Sequence, residues 1–206
     1  MPTVTATRIT TLSLSLLLTV LVTVGGCGKT VERIDSDETR DLSGRWNDTD
    51  SRLVAEEMVA DALARPWLTD HRDETGDRPT VIVGEVRNLS HEHLNTRTFI
   101  NDLQRELINS GRVEFVASAE QRESIREERA DQDLHASPET RKAMGEELGA
   151  DYMLLGSINT IIDREGREQV RFYQVDLEMI SLADNRKVWL GQKKIKKYIE
   201  GAALRP

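Results

Sequence analysis

The histidines of this chain are the first residues to consider for chemistry, because two imidazoles at close spacing can bind a metal ion. The four are His71, His91, His93 and His135, and only His91-Glu92-His93 has a spacing that could place two rings on one metal. This triplet stands in a polar stretch between a predicted strand and a predicted helix, where such side chains are more often solvated. We therefore expect neither a metal nor a cofactor.

Nucleophilic and acid–base catalysis lack the sequence patterns that they need. No serine lies in a Gly-x-Ser-x-Gly turn, and no glycine-rich phosphate loop follows a strand, since Gly84 is alone inside its apolar run. Carboxylates are numerous, but in a chain in which 31% of the residues are charged many acids pair by chance. No acid and base stand out as flanking a cleft. We expect a protein that is not an enzyme and has no small-molecule substrate.

A polar stretch between a strand and a helix could instead form a recognition surface. Residues 87–95 carry Leu89 and Leu94 among polar groups, as a binding loop on a rigid scaffold would. The alternative is a plain loop whose two leucines pack under the helix. The residues of this stretch that we predict to contact a partner protein are Arg87, Asn88, His91, His93 and Asn95.

A second candidate surface is the basic run near the end of the chain, Lys193-Lys194-Ile195-Lys196-Lys197. It stands out because the formal net charge of the whole chain is −8, which nearly excludes a protein that binds nucleic acid. A basic run on a last strand is a common guard against edge-to-edge pairing of sheets, and we favour this role. Contact of Lys193 and Lys194 with an acidic patch on a partner, or with an anionic wall polymer, is the alternative.

The N-terminal segment has the pattern of an export signal. An apolar or hydroxyl-bearing run from Ile9 to Val24 ends in Val24-Gly25-Gly26-Cys27, which resembles the bacterial lipobox cut before a lipid-modified cysteine. Cys27 is the only cysteine, so it cannot form an internal disulfide, and we predict that it carries the lipid after removal of residues 1–26. The alternative is an ordinary export signal followed by an incidental cysteine. Gly28 follows in place of an aspartate, which by resemblance to enterobacterial lipoproteins favours the outer membrane, facing the periplasm.

Two regions are expected after the signal. Residues 27–50 comprise the lipidated cysteine and a polar segment with scattered apolar residues, which we predict to be a flexible tether. Residues 51–206 should form a single globular domain. Apolar periodicity and capping signals predict helices from Asp50 or Ser51 to a stop before Pro66, over Thr96–Asn109, from the Ser118 capping box onward, and from Ser137 to a stop at Gly149.

The remaining apolar runs predict strands. In one of them Tyr173, Val175, Leu177 and Met179 alternate with polar residues, which indicates that one face of the sheet is solvated. The element order predicts an α/β (α+β) fold, with a mixed sheet of about five strands, helices packed mainly on one face and an antiparallel terminal meander. The predicted strands are Thr80–Val86, Val113–Val116, Asp151–Ile162, Gln169–Ser181 and Lys187–Ile199.

Six short pieces of the sequence form a series that points to a known family. They are Trp46-Asn47, Val86-Arg87-Asn88, Leu94-Asn95-Thr96, Gly111-Arg112-Val113-Glu114-Phe115-Val116, Leu148-Gly149-Ala150-Asp151-Tyr152 and Val188-Trp189-Leu190-Gly191. In this order they resemble the family of penicillin-binding protein activators called LpoB. The match runs from about Ser43 to Lys197, which is most of the chain beyond Cys27.

The resemblance implies both a fold and a function. The fold is an α/β sandwich like the N-terminal domain of TolB. The function is that of an outer-membrane lipoprotein, not an enzyme, which binds a non-catalytic domain of a class A penicillin-binding protein and stimulates peptidoglycan polymerisation and crosslinking. One departure is that residues 28–65 contain no proline, whereas the enterobacterial member has a long proline-rich tether.

A second function remains open at this point. Curli-secretion pore subunits combine a lipid anchor with a related α/β domain, so the chain could instead be a structural lipoprotein of an envelope secretion or assembly complex. Identification of the proteins that co-purify with the lipidated chain would distinguish the two functions.

Overall fold

The computed structural model describes residues 31–35, 38–137 and 147–201. The chain divides into two units, residues 1–38 and 39–206, and the described residues of the first contain no helix or strand. The described residues of the second form four helices and five strands. In chain order these are α1 (Asp48–Leu63), α2 (Pro66–Thr75), β1 (Thr80–Asn88), α3 (Thr96–Asn109), β2 (Glu114–Phe115), α4 (Ala119–His135), β3 (Tyr152–Glu165), β4 (Glu168–Ser181) and β5 (Lys187–Glu200).

The five strands form one mixed sheet in the order β2-β1-β3-β4-β5. β1 is parallel to β2 and to β3, whereas β3, β4 and β5 form an antiparallel meander. A two-residue turn joins β3 to β4, and Gly166 takes a φ of 57° there, a left-handed conformation that glycine adopts without strain. The predicted α+β fold, with its mixed five-stranded sheet, is confirmed.

The core lies between this sheet and the helices. α1 presents Val54, Ala55 and Met58 to it, and α3 presents a stripe at helical spacing that is 0–1% exposed. On the sheet side, the core contains the alternate apolar residues of β4 that the sequence pattern predicts to be buried. The buried residues of α3 and β4 are Phe99, Leu103, Leu107, Tyr173, Val175, Leu177 and Met179. α4 has no buried residue, as expected for a helix that is almost wholly charged.

The start of the folded unit is fixed by contacts of residues 41–50. Asn47 caps α1 in a capping box with Asp50, so the helix begins at Asp48, slightly before the predicted start. Lys197 Nζ lies 2.6 Å from Asp50 Oδ2 and 3.0 Å from Asp41 Oδ1. Burial alone would lower the pKa of Lys197, but these hydrogen bonds outweigh it and the pKa is raised. The segment around Arg45 is therefore attached to β5.

Two details differ from the sequence expectations. Pro66 follows the end of α1 as predicted, but it also opens α2, a helix that the sequence pattern does not predict. Proline is favourable in the first turn of a helix. Trp67 and Leu68 are buried in the hydrophobic core, and their packing stabilises α2. The apolar spacing of Thr96–Asn109 would also place Ile108 on the buried stripe of α3, but Ile108 is 51% exposed. Of the helix predicted from Ser137, residues 138–146 lie outside the described residues.

Candidate interaction surface

The sheet face turned away from the helices, which we call the open face, is not covered by any described helix. Strand pairing places Arg87, Ser157, Asp176 and Gln192 side by side in one row across β1, β3, β4 and β5. These side chains share the face because paired residues of neighbouring strands point the same way. The next row consists of Asn159, Gln174 and Lys194.

A β-bulge in β1 turns Arg87 onto the open face. Strict alternation from the buried Val81 and Val83 would point residue 87 into the core. The pairing register shifts between Val83 and Val86, so Val86 is buried and Arg87 is exposed. Gly84 lies at this shift, and a Cβ there would stand 2.6 Å from Leu155 Cδ2, so no side chain fits without movement.

The centre of the open face is a hydrogen-bond network around Asp176. Its carboxylate oxygens lie 2.9 and 3.1 Å from Gln174 Nε2, and Oδ1 accepts a hydrogen bond from Gln192 Nε2 at 2.8 Å. Asn159 Nδ2 stands 3.5 Å from Oδ2. Within the described ranges no cation forms an ion pair with Asp176. The network therefore presents an oriented carboxylate and three carboxamides to whatever approaches this face.

A shallow groove of about 680 Å³ runs along the row that contains Arg87 and Asp176. Two exposed or half-buried leucines, Leu155 and Leu190, give it an apolar part, and Leu190 is 68% exposed. An ion pair between Lys187 and Glu178 lies at its end. The groove thus combines hydrogen-bonding groups, charge and apolar area, as protein-binding surfaces do.

The two lysines predicted from the basic run lie on opposite faces of the sheet. Lys194 is exposed on the open face. Lys193 points to the helix side, where its ammonium group pairs with Glu57 of α1. Successive residues of a strand face opposite ways, so only alternate members of a basic run can share a surface.

The predicted loop residues have mainly local partners. Asn88 Nδ2 donates to Glu92 O at 2.7 Å, and the Asn88 Oδ1 accepts from Ser90 N at 3.0 Å. The backbone N–H of His91 donates to Thr160 Oγ1 at 3.2 Å, and its ring Nδ1 is 3.2 Å from the same oxygen. Asn95 caps α3 by accepting from Arg97 N at 3.1 Å. His93 is exposed. Three of these side chains therefore shape the loop, and His93 is left to face solvent.

Glu92 is a residue of this region that the sequence interpretation did not assign. Its carboxylate pairs with Arg171 and accepts a hydrogen bond from Tyr173 Oη at 2.9 Å. The hydroxyl also lies 3.3 Å from Gly44 O, and the ring packs edge-on to Trp46. Burial, together with the hydrogen bond to Glu92, raises the pKa of Tyr173 to about 12. In the sequence, the position of Glu92 between two histidines suggests only a metal site. Its contacts with Arg171 and Tyr173 could not be predicted from that pattern.

In the described part of the chain, no group of three or more His, Cys, Asp or Glu side chains is placed to hold a metal ion. Of the helices that the structure describes, none has the length and apolar character needed to cross a bilayer.

The fold and the open face define an α+β domain with an uncovered, polar sheet surface. The chain belongs to the LpoB family, because the family model described as "Peptidoglycan-synthase activator LpoB" matches residues 50–195, more than half of its length. This confirms the family indicated by the six sequence pieces. A search of curated proteins gave no significant match.

Among solved structures, the C-terminal domain of LpoB from Salmonella enterica is similar, with 19% identity, a TM-score of 0.42 and coverage of 72% of this chain and 99% of that chain. The corresponding domain from Escherichia coli has 20% identity, a TM-score of 0.35 and coverage of 64% and 94%. A lipoprotein from Neisseria meningitidis has 12% identity, a TM-score of 0.38 and coverage of 58% and 83%.

Proposed function

We propose that this chain is an outer-membrane lipoprotein that binds the non-catalytic domain of a class A penicillin-binding protein and stimulates its peptidoglycan synthesis without activity of its own. The observation that carries the proposal is the family match over residues 50–195, since the family is one of peptidoglycan-synthase activators. The open face adds a surface on which such a partner can bind.

The proposed anchor is Cys27, which lies outside the described residues. This assignment rests on the sequence pattern that precedes the cysteine. A stable attachment needs more than one acyl chain, and a diacylglyceryl group with an N-acyl chain supplies three. Metabolic labelling with a palmitate analogue should mark the wild-type chain and leave Cys27→Ser unlabelled. Equal labelling of the two would exclude Cys27 as the lipid site.

The proposed contact surface is the open face between Arg87 and Lys194, together with His93 of the neighbouring loop. Both cations are exposed, and neither has an ion-pair partner among the described residues. Asn88, His91 and Asn95 contribute by holding the loop, and Lys193 is already paired with Glu57. A polar surface with uncompensated cations predicts a transient, salt-sensitive contact.

Binding of the purified chain to its cognate class A penicillin-binding protein tests this surface. Arg87→Glu should weaken the affinity by on the order of tenfold, because it removes a cation and places a negative charge opposite the acidic groups expected on the partner. Arg112→Glu is the matched control, since Arg112 is exposed in the bend before β2, near the opposite end of β1 from Arg87. Increasing salt should weaken the wild type more than the Arg87 variant.

Two results would contradict the proposal. One is the absence of any binding at micromolar concentration. The other is an equal loss of affinity in the Arg87 and Arg112 variants, which would show that net charge matters and the open face does not.

A further inference from the structure

The outer edge of β5 is unpaired in the described structure. β5 is the last strand of the sheet, and from Lys187 to Glu200 it pairs only with β4. No backbone hydrogen bond joins its other edge to another described segment. Such an edge presents a row of N–H and C=O groups with which an additional strand can pair.

A groove of about 560 Å³ follows this edge on the helix side, between α1 and β5. Its apolar lining is Leu53, Val54 and Ile195, and Leu53 is 48% exposed. The charged groups at its rim already have partners on this chain. They form the pairs Asp50 with Lys197, Glu56 with Arg52, and Glu57 with Lys193. The groove therefore offers an apolar pocket without free charge.

The other side of the same edge carries free positive charge. Lys194 and Lys196 are exposed on the open face, and neither has a partner among the described residues. They flank Ile195, which points to the groove, because alternate residues of a strand face opposite ways. The two sides of the edge thus differ, with apolar area on the helix side and uncompensated ammonium groups on the other.

We propose that the β5 edge binds an extended segment of a partner protein as an additional strand, with apolar and acidic residues in alternation. The apolar side chains enter the groove against Leu53 and Ile195, and the acidic side chains lie beside Lys194 and Lys196. Main-chain hydrogen bonds supply affinity, and the groove and the lysines supply specificity. This site shares Lys194 with the contact surface of the proposed function, but it lies along the β5 edge, and its test needs no synthase.

A second copy of this chain is a poor occupant of the edge. Antiparallel pairing of two β5 strands about Ile195 would place Lys194 of one copy opposite Lys196 of the other. Like charges directly opposite each other destabilise a strand pair. The lysines therefore disfavour self-pairing in this register and favour an acidic strand, so they act both as a guard and as a specificity element.

The test uses the full chain in mild detergent and a fluorescent peptide, Val-Glu-Val-Glu-Val-Glu-Val. Fluorescence anisotropy should show saturable binding, and hydrogen exchange should show protection of the β5 amides when the peptide is added. A peptide with lysine in place of glutamate should bind more weakly than the glutamate peptide, by about tenfold or more, because its charges repel Lys194 and Lys196.

Variants separate the edge from the rest of the surface. Leu53→Arg and the double change Lys194→Glu with Lys196→Glu should each weaken binding of the glutamate peptide by about tenfold or more. Ile108→Arg is the control, because Ile108 is a similarly exposed apolar residue on α3. Equal binding of the two peptides, unchanged exchange at β5, or dimerisation that protects β5 without peptide would overturn the proposal.

Discussion

Tyr173 joins the first residues of the folded unit to the loop that follows β1. Its ring packs against Trp46, and its hydroxyl reaches both Glu92 and Gly44 O. Arg171 pairs with the same carboxylate. Because the ring is 0% exposed, a charged tyrosinate in this position would be poorly solvated and would face a carboxylate. The loop is therefore held in place by a neutral phenol, an arginine and a glutamate.

This arrangement predicts a loss of stability at alkaline pH. The pKa of Tyr173 is raised to about 12 in the folded chain, against about 10 for an unfolded tyrosine. A raised pKa contributes stability that is fully present below pH 10 and is lost as the pH rises through 12. Tyr173 should therefore account for about 1 kcal/mol of the fall in unfolding free energy between pH 9 and 11.

Denaturant titrations of Tyr173→Phe at pH 9 and pH 11 measure this contribution. The variant should lose about 1 kcal/mol less than the wild type between the two pH values, whatever its stability at neutral pH. Tyr198→Phe is the matched comparison. The hydrogen bond to Glu168 also raises the pKa of Tyr198, but this side chain is 59% exposed, so solvent screens the effect and the variant should change the pH dependence less than Tyr173→Phe does. If the wild type and Tyr173→Phe lost the same unfolding free energy between pH 9 and pH 11, the burial of this hydroxyl would have no energetic consequence.

At the scale of the elements, helices with a clear apolar stripe could be predicted and short or irregular elements could not. α3 has the predicted bounds because its stripe, the Asn95 cap and the Gly111 stop agree. α2 is polar except for Trp67 and Leu68, so its sequence gives a weak helix signal, and packing of those two side chains decides its structure.

The open face could be predicted only in part. The alternation in β4 indicates a solvated face, but which partner residues share it depends on strand register. The bulge in β1 decides the direction of Arg87, and its signal in the sequence is Gly84, a lone glycine inside an apolar strand pattern. Lys193 and Lys194 form one basic run in the sequence, but their side chains point to opposite faces of β5.

The stripe of α3 gives a prediction about packing. Leu103 is 0% exposed and lies in the core with Phe99 and Leu107. Leu103→Ala should lower the free energy of unfolding by about 2–5 kcal/mol, because it leaves a cavity against the sheet. Ile108→Ala, on the exposed side of the same helix, should cost less than about 0.5 kcal/mol. Equal costs in chemical denaturation would contradict the burial of the stripe.

At the scale of the whole molecule, the attachment of residues 41–50 limits the reach of the domain. Lys197 holds Asp41 and Asp50, and Trp46 packs against Phe99. Residues 28–40 are then left to join the proposed anchor at Cys27 to the folded unit, and fully extended they span at most about 45 Å. The proposed partner must therefore come close to the membrane that carries the anchor.

The proposed function is activation of a synthase by a chain that catalyses no reaction itself. The direct measurement is the initial rate of lipid II polymerisation by the cognate class A penicillin-binding protein, with and without the purified chain. We predict a higher rate with the wild type and with Arg112→Glu, a smaller increase with Arg87→Glu, and no glycan product from the chain alone. An unchanged rate at a concentration that saturates binding, or glycan product formed without the synthase, would contradict this account.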